Sequence, residues 1–251
     1  MRKFHTYVIV FFSCLALGGI AFGVYSAMHS PLFLVQVVEV ADAPDEASRS
    51  QAPVDPQTIS DLAAVPVGKV SLFDLDLKSI ERRILTNSWV RSVRLQKRFP
   101  QTLSISVTFR EPRALMQAPK GALAYVDLDG NVFGQVDLEL QSDLPIFAGF
   151  SGSAQIKSAF RLLEAWEQAA LSSSLQISSL SWDAERGYRA WVTYPYGHST
   201  IELGQEIDAD LPVKLNRLSQ VFAYLNRNRI AVRQVWADSE KKIVVKTAHG
   251  S

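Results

Sequence analysis

The chain has 251 residues, of which 47% are hydrophobic and 20% are charged, and its formal net charge at pH 7 is +1. This composition excludes a disordered chain and indicates a globular protein of one or two domains. The charges nearly cancel and no basic run carries interleaved aromatic residues, which argues against a nucleic-acid-binding protein.

The first thirty residues form a separate segment, because no Asp, Glu, Lys or Arg occurs from Phe4 to Ser30. About 20 apolar residues at a rise of ~1.5 Å each span the hydrocarbon core of a bilayer. Arg2 and Lys3 precede this run, and flanking positive charges stay in the cytoplasm. We therefore predict a cytoplasmic tail over 1–6, an uncleaved transmembrane anchor over 7–28, and export of the remainder. A cleaved signal peptide is the alternative, although its apolar region is usually only ~7–15 residues long.

The single cysteine, Cys14, lies inside the predicted anchor. The exported part therefore has no internal disulfide and depends on burial of apolar surface for its stability. A segment of about 220 residues can bury well over half of the surface that its unfolded chain exposes.

A strand over 31–40, a polar loop over 41–56 and two helices open the exported part. The first helix begins at Asp55-Pro56, since proline suits the first helical turn. The second is predicted over 75–86, with Asp74 as its N-cap. Its apolar residues recur at helical spacing and form one stripe: Leu77, Ile80, Ile84 and Leu85.

A β-hairpin is predicted over 89–110. Positions 103, 105, 107 and 109 are large and apolar, whereas positions 102, 104, 106 and 108 are Ser or Thr. A period of two indicates a strand with one face on a core and the other in water. Phe99-Pro100-Gln101 is the connection, because proline cannot donate to a strand ladder. The order strand, helix, helix, strand, strand closes one small core.

Pro112 marks a predicted domain boundary, and the remainder reads as a mixed β domain over 112–251 with two helices. Its predicted elements are a hairpin over 122–133, a helix over 156–166, strands near 175–183, 187–194 and 198–203, a helix over 211–225, and strands near 230–237 and 241–247. The fold class is therefore α+β, following one transmembrane helix.

No catalytic constellation, cofactor site or metal site is predicted. Ser239 to Lys242 spells S-x-x-K and Lys246-Thr247-Ala248 nearly spells K-T-G, a pair used by penicillin-binding enzymes. Here the two are adjacent in a hairpin, which favours a turn. Asp127-x-Asp129-Gly130 is half of a calcium loop and is better explained as a hairpin tip. The four histidines are scattered without ligand spacing.

A basic cluster on the first hairpin strand comprises Arg91, Arg94, Lys97 and Arg98. It could contact anionic lipid or glycan. A solvated strand face is the simpler interpretation.

The sequence resembles the FtsQ/DivIB family of bacterial cell-division proteins over nearly its whole length. The resemblance is carried by Leu72-Phe73-Asp74-Leu75, Trp89-Val90, Arg98-Phe99-Pro100-x-Thr102-Leu103-x-Ile105, Arg110-x-Pro112, Val126-Asp127, Gly130-x-Val132-Phe133 and Leu144-Pro145. The chain departs from the family in the longer loop 41–56, and in Val235-Trp236-Ala237, where the family often has an Asp-Leu-Arg-like run.

The resemblance implies that 33–111 form a POTRA domain and that the protein is a non-enzymatic scaffold of the divisome. Such a scaffold lies in the cytoplasmic membrane at the division septum, with its bulk periplasmic or otherwise outside the cytoplasm, and helps to assemble septal cell-wall synthesis. The implied partners are the bitopic division proteins FtsB and FtsL, with FtsB adding a strand beside the last strand of the β domain.

The last strand supports this mode of binding on physical grounds. A terminal strand is commonly a sheet edge, and an edge offers unpaired N–H and C=O groups to an incoming strand. We therefore predict that the partner docks along 236–245, with Trp236 as an anchor; a core Trp packed under the helix 211–225 is the alternative. The predicted contact residues are Trp236, Ala237, Ser239, Lys241, Ile243 and Val245.

Two other classes compete with a scaffold. An anchored envelope enzyme acting on peptidoglycan would need an acid/base pair or a metal set. A POTRA-bearing export component would need several POTRA units and a membrane barrel of many ~10-residue strands.

Overall fold

The computed structural model describes residues 2–41, 52–117, 121–136, 143–169, 171, 174–205, 211–238 and 242–248, with the side chains of 2–12 and 41 excepted. Most of the predicted loop 41–56 therefore lies outside the described residues. The chain divides into two compact units, Met1–Arg110 and Glu111–Ser251. Each unit contains one sheet, of three and nine strands respectively.

The first unit begins with helix α1, Arg2–Met28. Over the part of the chain that the structure describes, no helix combines the length and the apolar character needed to cross a membrane. The predicted anchor over 7–28 includes side chains outside that part, so the anchor stays a prediction.

The rest of the first unit follows the predicted order of one strand, two helices and a hairpin. Its elements are β1 (Val37–Ala41), α2 (Pro56–Ala63), α3 (Leu77–Ile84), β2 (Val90–Arg98) and β3 (Thr102–Phe109). β3 is the central strand, parallel to β1 and antiparallel to β2. Ile59, Leu72, Ile80 and Ile84 are buried with the apolar face of the sheet.

Two predicted boundaries in this unit are wrong. Pro31–Phe33 forms a 3-10 helix instead of the start of a strand, because the Ser30 hydroxyl caps it and proline suits its first position. The N-cap of α3 is Asp76 rather than Asp74, and its carboxylate accepts from the N–H groups of Lys78 and Ser79. The hydroxyl and the N–H of Ser79 lower the pKa of Asp76 below its usual value.

The predicted hairpin is confirmed, with one difference in burial. Leu103, Ile105, Val107 and Phe109 are buried, as their alternation predicts. Ser104, predicted on the wet face, is buried as well. It lies in register with Glu39 on β1 and Gln96 on β2, so longer side chains flank it on both sides of a central strand. The period of two does not reveal that a strand is central.

In its described residues, the second unit has nine strands and two helices. They are β4 (Ala114–Gln117), β5 (Leu123–Val126), β6 (Val132–Phe133), β7 (Ile146–Ala148), α4 (Ser153–Gln168), β8 (Gln176–Asp183), β9 (Gly187–Tyr194), β10 (Gly197–Gly204), α5 (Leu211–Arg227), β11 (Val232–Trp236) and β12 (Val244–Thr247). The strand order is β12-β11-β10-β9-β8-β7-β4-β5-β6.

Both helices contribute their apolar stripes to one core with the sheet. Trp166 of α4 and Phe222 of α5 are buried in it, and the Trp166 indole N–H donates to the Leu175 carbonyl at 3.1 Å. The Tyr194 hydroxyl donates to the Val232 carbonyl at 3.2 Å and ties β9 to β11. These contacts hold β11, and through it the strand at the sheet edge.

Candidate functional site

The last strand, β12, lies at one edge of the nine-stranded sheet. It pairs antiparallel with β11, and its partners there include Val244 with Trp236 and Val245 with Val235. The sequence-based prediction of an edge position is thus confirmed. An edge strand presents backbone donors and acceptors on the side away from its neighbour.

The direction of those backbone groups follows from one hydrogen bond on β11. The Ala237 N–H donates to the Glu202 carbonyl of β10 at 2.8 Å. Alternate residues of a strand present their N–H and C=O groups to opposite sides, so Trp236 presents its groups to β12. Val244, which is in register with Trp236, therefore pairs toward β11. Val245 presents its N–H and C=O to the open edge.

The predicted contact residues are distributed over different environments. Ala237 is buried and its N–H is bonded to β10, so it offers nothing at the edge. The side chains of Ile243 and Val245 pack against the core, so these two offer backbone rather than side chain. Val244 points the other way and is 46% exposed. Ser239 and Lys241 lie outside the described residues.

Trp236 lies on the sheet face opposite the helices. It is half-buried and is not part of the core cluster that contains α5, so the alternative of a core Trp under that helix is wrong. In register across the sheet, Trp236 stands beside Glu202 of β10 and Val244 of β12. An aromatic side chain in this position borders the open edge.

A polar groove of about 470 Å³ adjoins Trp236 on this face. Its lining residues are Glu185, Arg186, Glu202, Gly204, Gln205, Gln234, Trp236 and Asp238. The Arg189 Nε donates to Glu202 Oε1 at 2.8 Å, and the Gln234 amide donates to the same oxygen at 3.4 Å. These bonds fix the buried Glu202 carboxylate in place.

The turn between β8 and β9 fixes one rim of the groove. The Asp183 carboxylate accepts from the N–H groups of Glu185 and Arg186 at 2.9 and 3.1 Å, which lowers the pKa of Asp183. Gly187 has φ of +75°, and a Cβ there would collide with the backbone of Gly204. The turn therefore requires glycine for its conformation and for the close approach.

Sequence reasoning missed the groove, because its residues come from the β8–β9 turn, β10 and β11. A signal was present: Arg189 and Glu202 lie on the polar faces of alternating strands. Pairing them requires the register of β9 with β10, which the pattern of one strand does not supply.

The other motifs found in the sequence have local structural explanations. The Asp127 carboxylate accepts from the backbone N–H of Asn131 at 2.8 Å and from its side-chain amide, which makes the segment a hairpin tip between β5 and β6. Lys246 and Thr247 belong to the edge strand β12. Within the described ranges no group of His, Cys, Asp and Glu is arranged to hold a metal ion.

The basic cluster on β2 does not form one continuous face. The Lys97 ammonium donates to the Phe73 carbonyl at 3.1 Å, on the side of the strand opposite Arg94 and Arg98. Arg98 lies 3.5 Å from the Glu39 carboxylate. Arg91 and Arg94 are exposed, as a solvated face predicts.

Two protein-family models match the chain. The model of the cell division protein FtsQ/DivIB C-terminal domain matches residues 114–237, and the model of the FtsQ-type POTRA domain matches residues 51–110. Together they cover most of both compact units.

Curated relatives carry the same family description. A cell division protein FtsQ of Syntrophotalea carbinolica is 27% identical over 190 residues, which are 72% of this chain and 65% of that protein, so the chain spans just under two thirds of it. One from Geotalea daltonii is 26% identical over 92% of this chain and 82% of its own length. One from a Geobacter species (strain M21) is 29% identical over 77% of this chain and 71% of its own length.

Proposed function

We propose that this chain, which belongs to the FtsQ/DivIB family of bacterial cell-division proteins, is a non-enzymatic scaffold of the divisome. In this proposal it binds an FtsB-like and an FtsL-like partner and helps to assemble septal cell-wall synthesis. The FtsB-like partner adds a strand along β12, as the family resemblance implies.

The observation that carries the proposal is the position of β12 at the sheet edge with the backbone of Val245 directed outward. Main-chain hydrogen bonds to such an edge supply affinity for an extended peptide. The exposed Lys242 precedes β12 and the exposed Lys246 lies within it, and lysines at an edge discourage indiscriminate pairing between copies. A partner strand with acidic side chains would complement these two lysines.

Specificity in this proposal comes from the face beside the edge. Trp236 provides an aromatic surface, and Arg186 and Asp238 carry opposite charges in the adjoining groove. Aromatic and arginine side chains are enriched among the residues that dominate interface energies. A partner segment that continues past its pairing strand would reach these groups.

The family resemblance and the sequence also support an anchor over 7–28 with the N-terminus in the cytoplasm. The support is the charge-free run from Phe4 to Ser30, preceded by Arg2 and Lys3. We infer that the POTRA domain over 33–111 and the β domain over 112–251 lie outside the cytoplasm.

Proline at Val245 tests strand addition directly. Val245→Pro removes the outward N–H but spares the bonds that Val244 makes to β11, and proline is tolerated at an edge where its nitrogen faces solvent. A lost main-chain donor that leaves its partner unpaired costs about 1–3 kcal/mol, so we expect the Kd for the FtsB-like partner to rise roughly 5- to 150-fold. Titration of the full-length chain with a labelled partner in detergent measures this change.

Val245→Ala is the matched control, because it shortens the same side chain and keeps the donor. It should bind near the wild-type Kd, since the Val245 side chain packs toward the core. Circular dichroism checks that both variants fold. Equal affinity of a folded Val245→Pro and Val245→Ala would place the docking site away from this edge.

A further inference from the structure

Three phenylalanines form a cluster at one end of the first unit. The ring centroids of Phe33 and Phe73 lie 5.1 Å apart, those of Phe73 and Phe99 4.9 Å, and those of Phe33 and Phe99 6.3 Å. This phenylalanine cluster is partly open to solvent, because Phe99 is 55% exposed. Leu32, which precedes Phe33 in the chain, is 68% exposed. Phe99 and Leu32 thus expose apolar surface that a lipid or an apolar partner could cover.

The cluster is held at the C-terminal end of α1 by hydrogen bonds. The Ser71 hydroxyl donates to the carbonyl of Met28, the last residue of α1, at 2.8 Å, and it accepts from the Phe73 N–H at 3.3 Å. His29 Nε2 lies 3.2 Å from the Asp74 carboxylate. Segments distant in sequence thus converge where the charge-free helix ends.

Two basic side chains lie beside the cluster, and the acidic ones beside it have partners. Lys97 donates to the Phe73 carbonyl, and Arg98 directly precedes Phe99 in the chain. Of the nearby carboxylates, Glu39 lies beside Arg98 and Asp74 beside His29. The surface around the rings is therefore apolar with a basic margin, which complements an apolar layer beneath anionic headgroups.

We propose that the phenylalanine cluster and Leu32 are seated in the headgroup–acyl boundary of the bilayer and fix the first unit against the membrane surface. The proposal rests on the anchor over 7–28. The occupant is a lipid surface, because the cluster is bonded to the end of the segment that would emerge from it. Phe and Leu are among the apolar residues that interfacial segments bury in this boundary, and burying their exposed faces removes apolar area from water.

Nitroxide labelling of the full-length chain in liposomes of phosphatidylcholine and phosphatidylglycerol tests the proposal. In a Cys14→Ser background, single labels are attached through Phe99→Cys, Leu32→Cys and the control Arg82→Cys, which lies on an exposed part of α3. The depth of each label in the bilayer is measured by its collision rates with two reagents. Oxygen partitions into lipid, and a nickel chelate stays in water. A fourth sample carries the label on the native Cys14.

We expect the labels at 32 and 99 to be shielded several-fold from nickel and enriched in oxygen contact relative to the label at 82. The label at 99 decides the result, because it lies on the β2–β3 turn and not in the segment that follows α1. Nickel access at 99 equal to that at 82, with the Cys14 label in lipid, overturns the proposal while leaving the anchor intact; a protein partner would then be the occupant. A Cys14 label in water overturns the anchor and the proposal together.

Discussion

β3 and β12 occupy opposite positions in their sheets: β3 is a central strand and β12 is an edge strand. β3 pairs on both sides, and its apolar residues are 0–8% exposed. β12 pairs with β11 alone, and its described side chains are partly or fully exposed. The central strand stabilises its unit through burial, whereas the edge strand has backbone groups left for a partner. Position in the sheet therefore sets which backbone groups of each strand remain available to a partner.

The largest effect is expected from the centre of β3. Ile105 is fully buried, so Ile105→Ala removes buried methyl groups and leaves a cavity, at a cost of about 2–5 kcal/mol in the free energy of unfolding. Urea denaturation of the detergent-solubilised chain, followed by circular dichroism, measures the loss. Thr108→Ala is the control, because Thr108 is exposed on the same strand and should change stability by less than about 0.5 kcal/mol. Equal losses would mean that side-chain burial does not govern stability on this strand.

The next effect concerns binding rather than stability. Trp236→Ala should weaken the FtsB-like partner by about 2 kcal/mol, or roughly 30-fold in Kd, because Trp236 borders the edge and its groove. Trp191→Ala is the control: Trp191 is 49% exposed on β9, two strands from Trp236. Titration of both variants with the labelled partner compares them. If Trp191→Ala weakens binding equally, the partner contacts the whole sheet face and its binding is not concentrated at the edge.

The smallest effect is expected at the edge itself. Val244 is half-exposed, so Val244→Ala should lower the free energy of unfolding by less than about 1 kcal/mol. The same urea denaturation gives the value. A loss as large as that of Ile105→Ala would show that β12 is as integral to its unit as β3 is, and the contrast between the strands would fail.

The sequence predicts most elements, because their patterns are local. Period-two alternation gives the β2–β3 hairpin, and helical stripes give α2, α4 and α5. It does not distinguish Asp74 from Asp76 as the cap of α3, since both precede the stripe and only backbone geometry selects one. It also misses the burial of Ser104, which arises from neighbours on two other strands.

The candidate site divides in the same way. The edge strand is predictable because it is the last strand of the domain, and Trp236 stands out by its residue type. The orientation of Val245 depends on a hydrogen bond between β11 and β10, and the groove depends on the register of β9, β10 and β11. A local sequence pattern does not predict how strands that are distant in sequence pair or in which register.

The parallel pairing of β10 with β11 sets the order in which the docking edge can form. β11 reaches β10 only after the intervening α5 has been synthesised and has crossed over the sheet, and β12 needs β11 as its sole neighbour. Synthesis runs from the N-terminus, so the docking edge is the last part of the domain to be completed. A chain that ends before Val244 therefore lacks β12, and the proposed strand addition would have no edge strand of this kind to pair with.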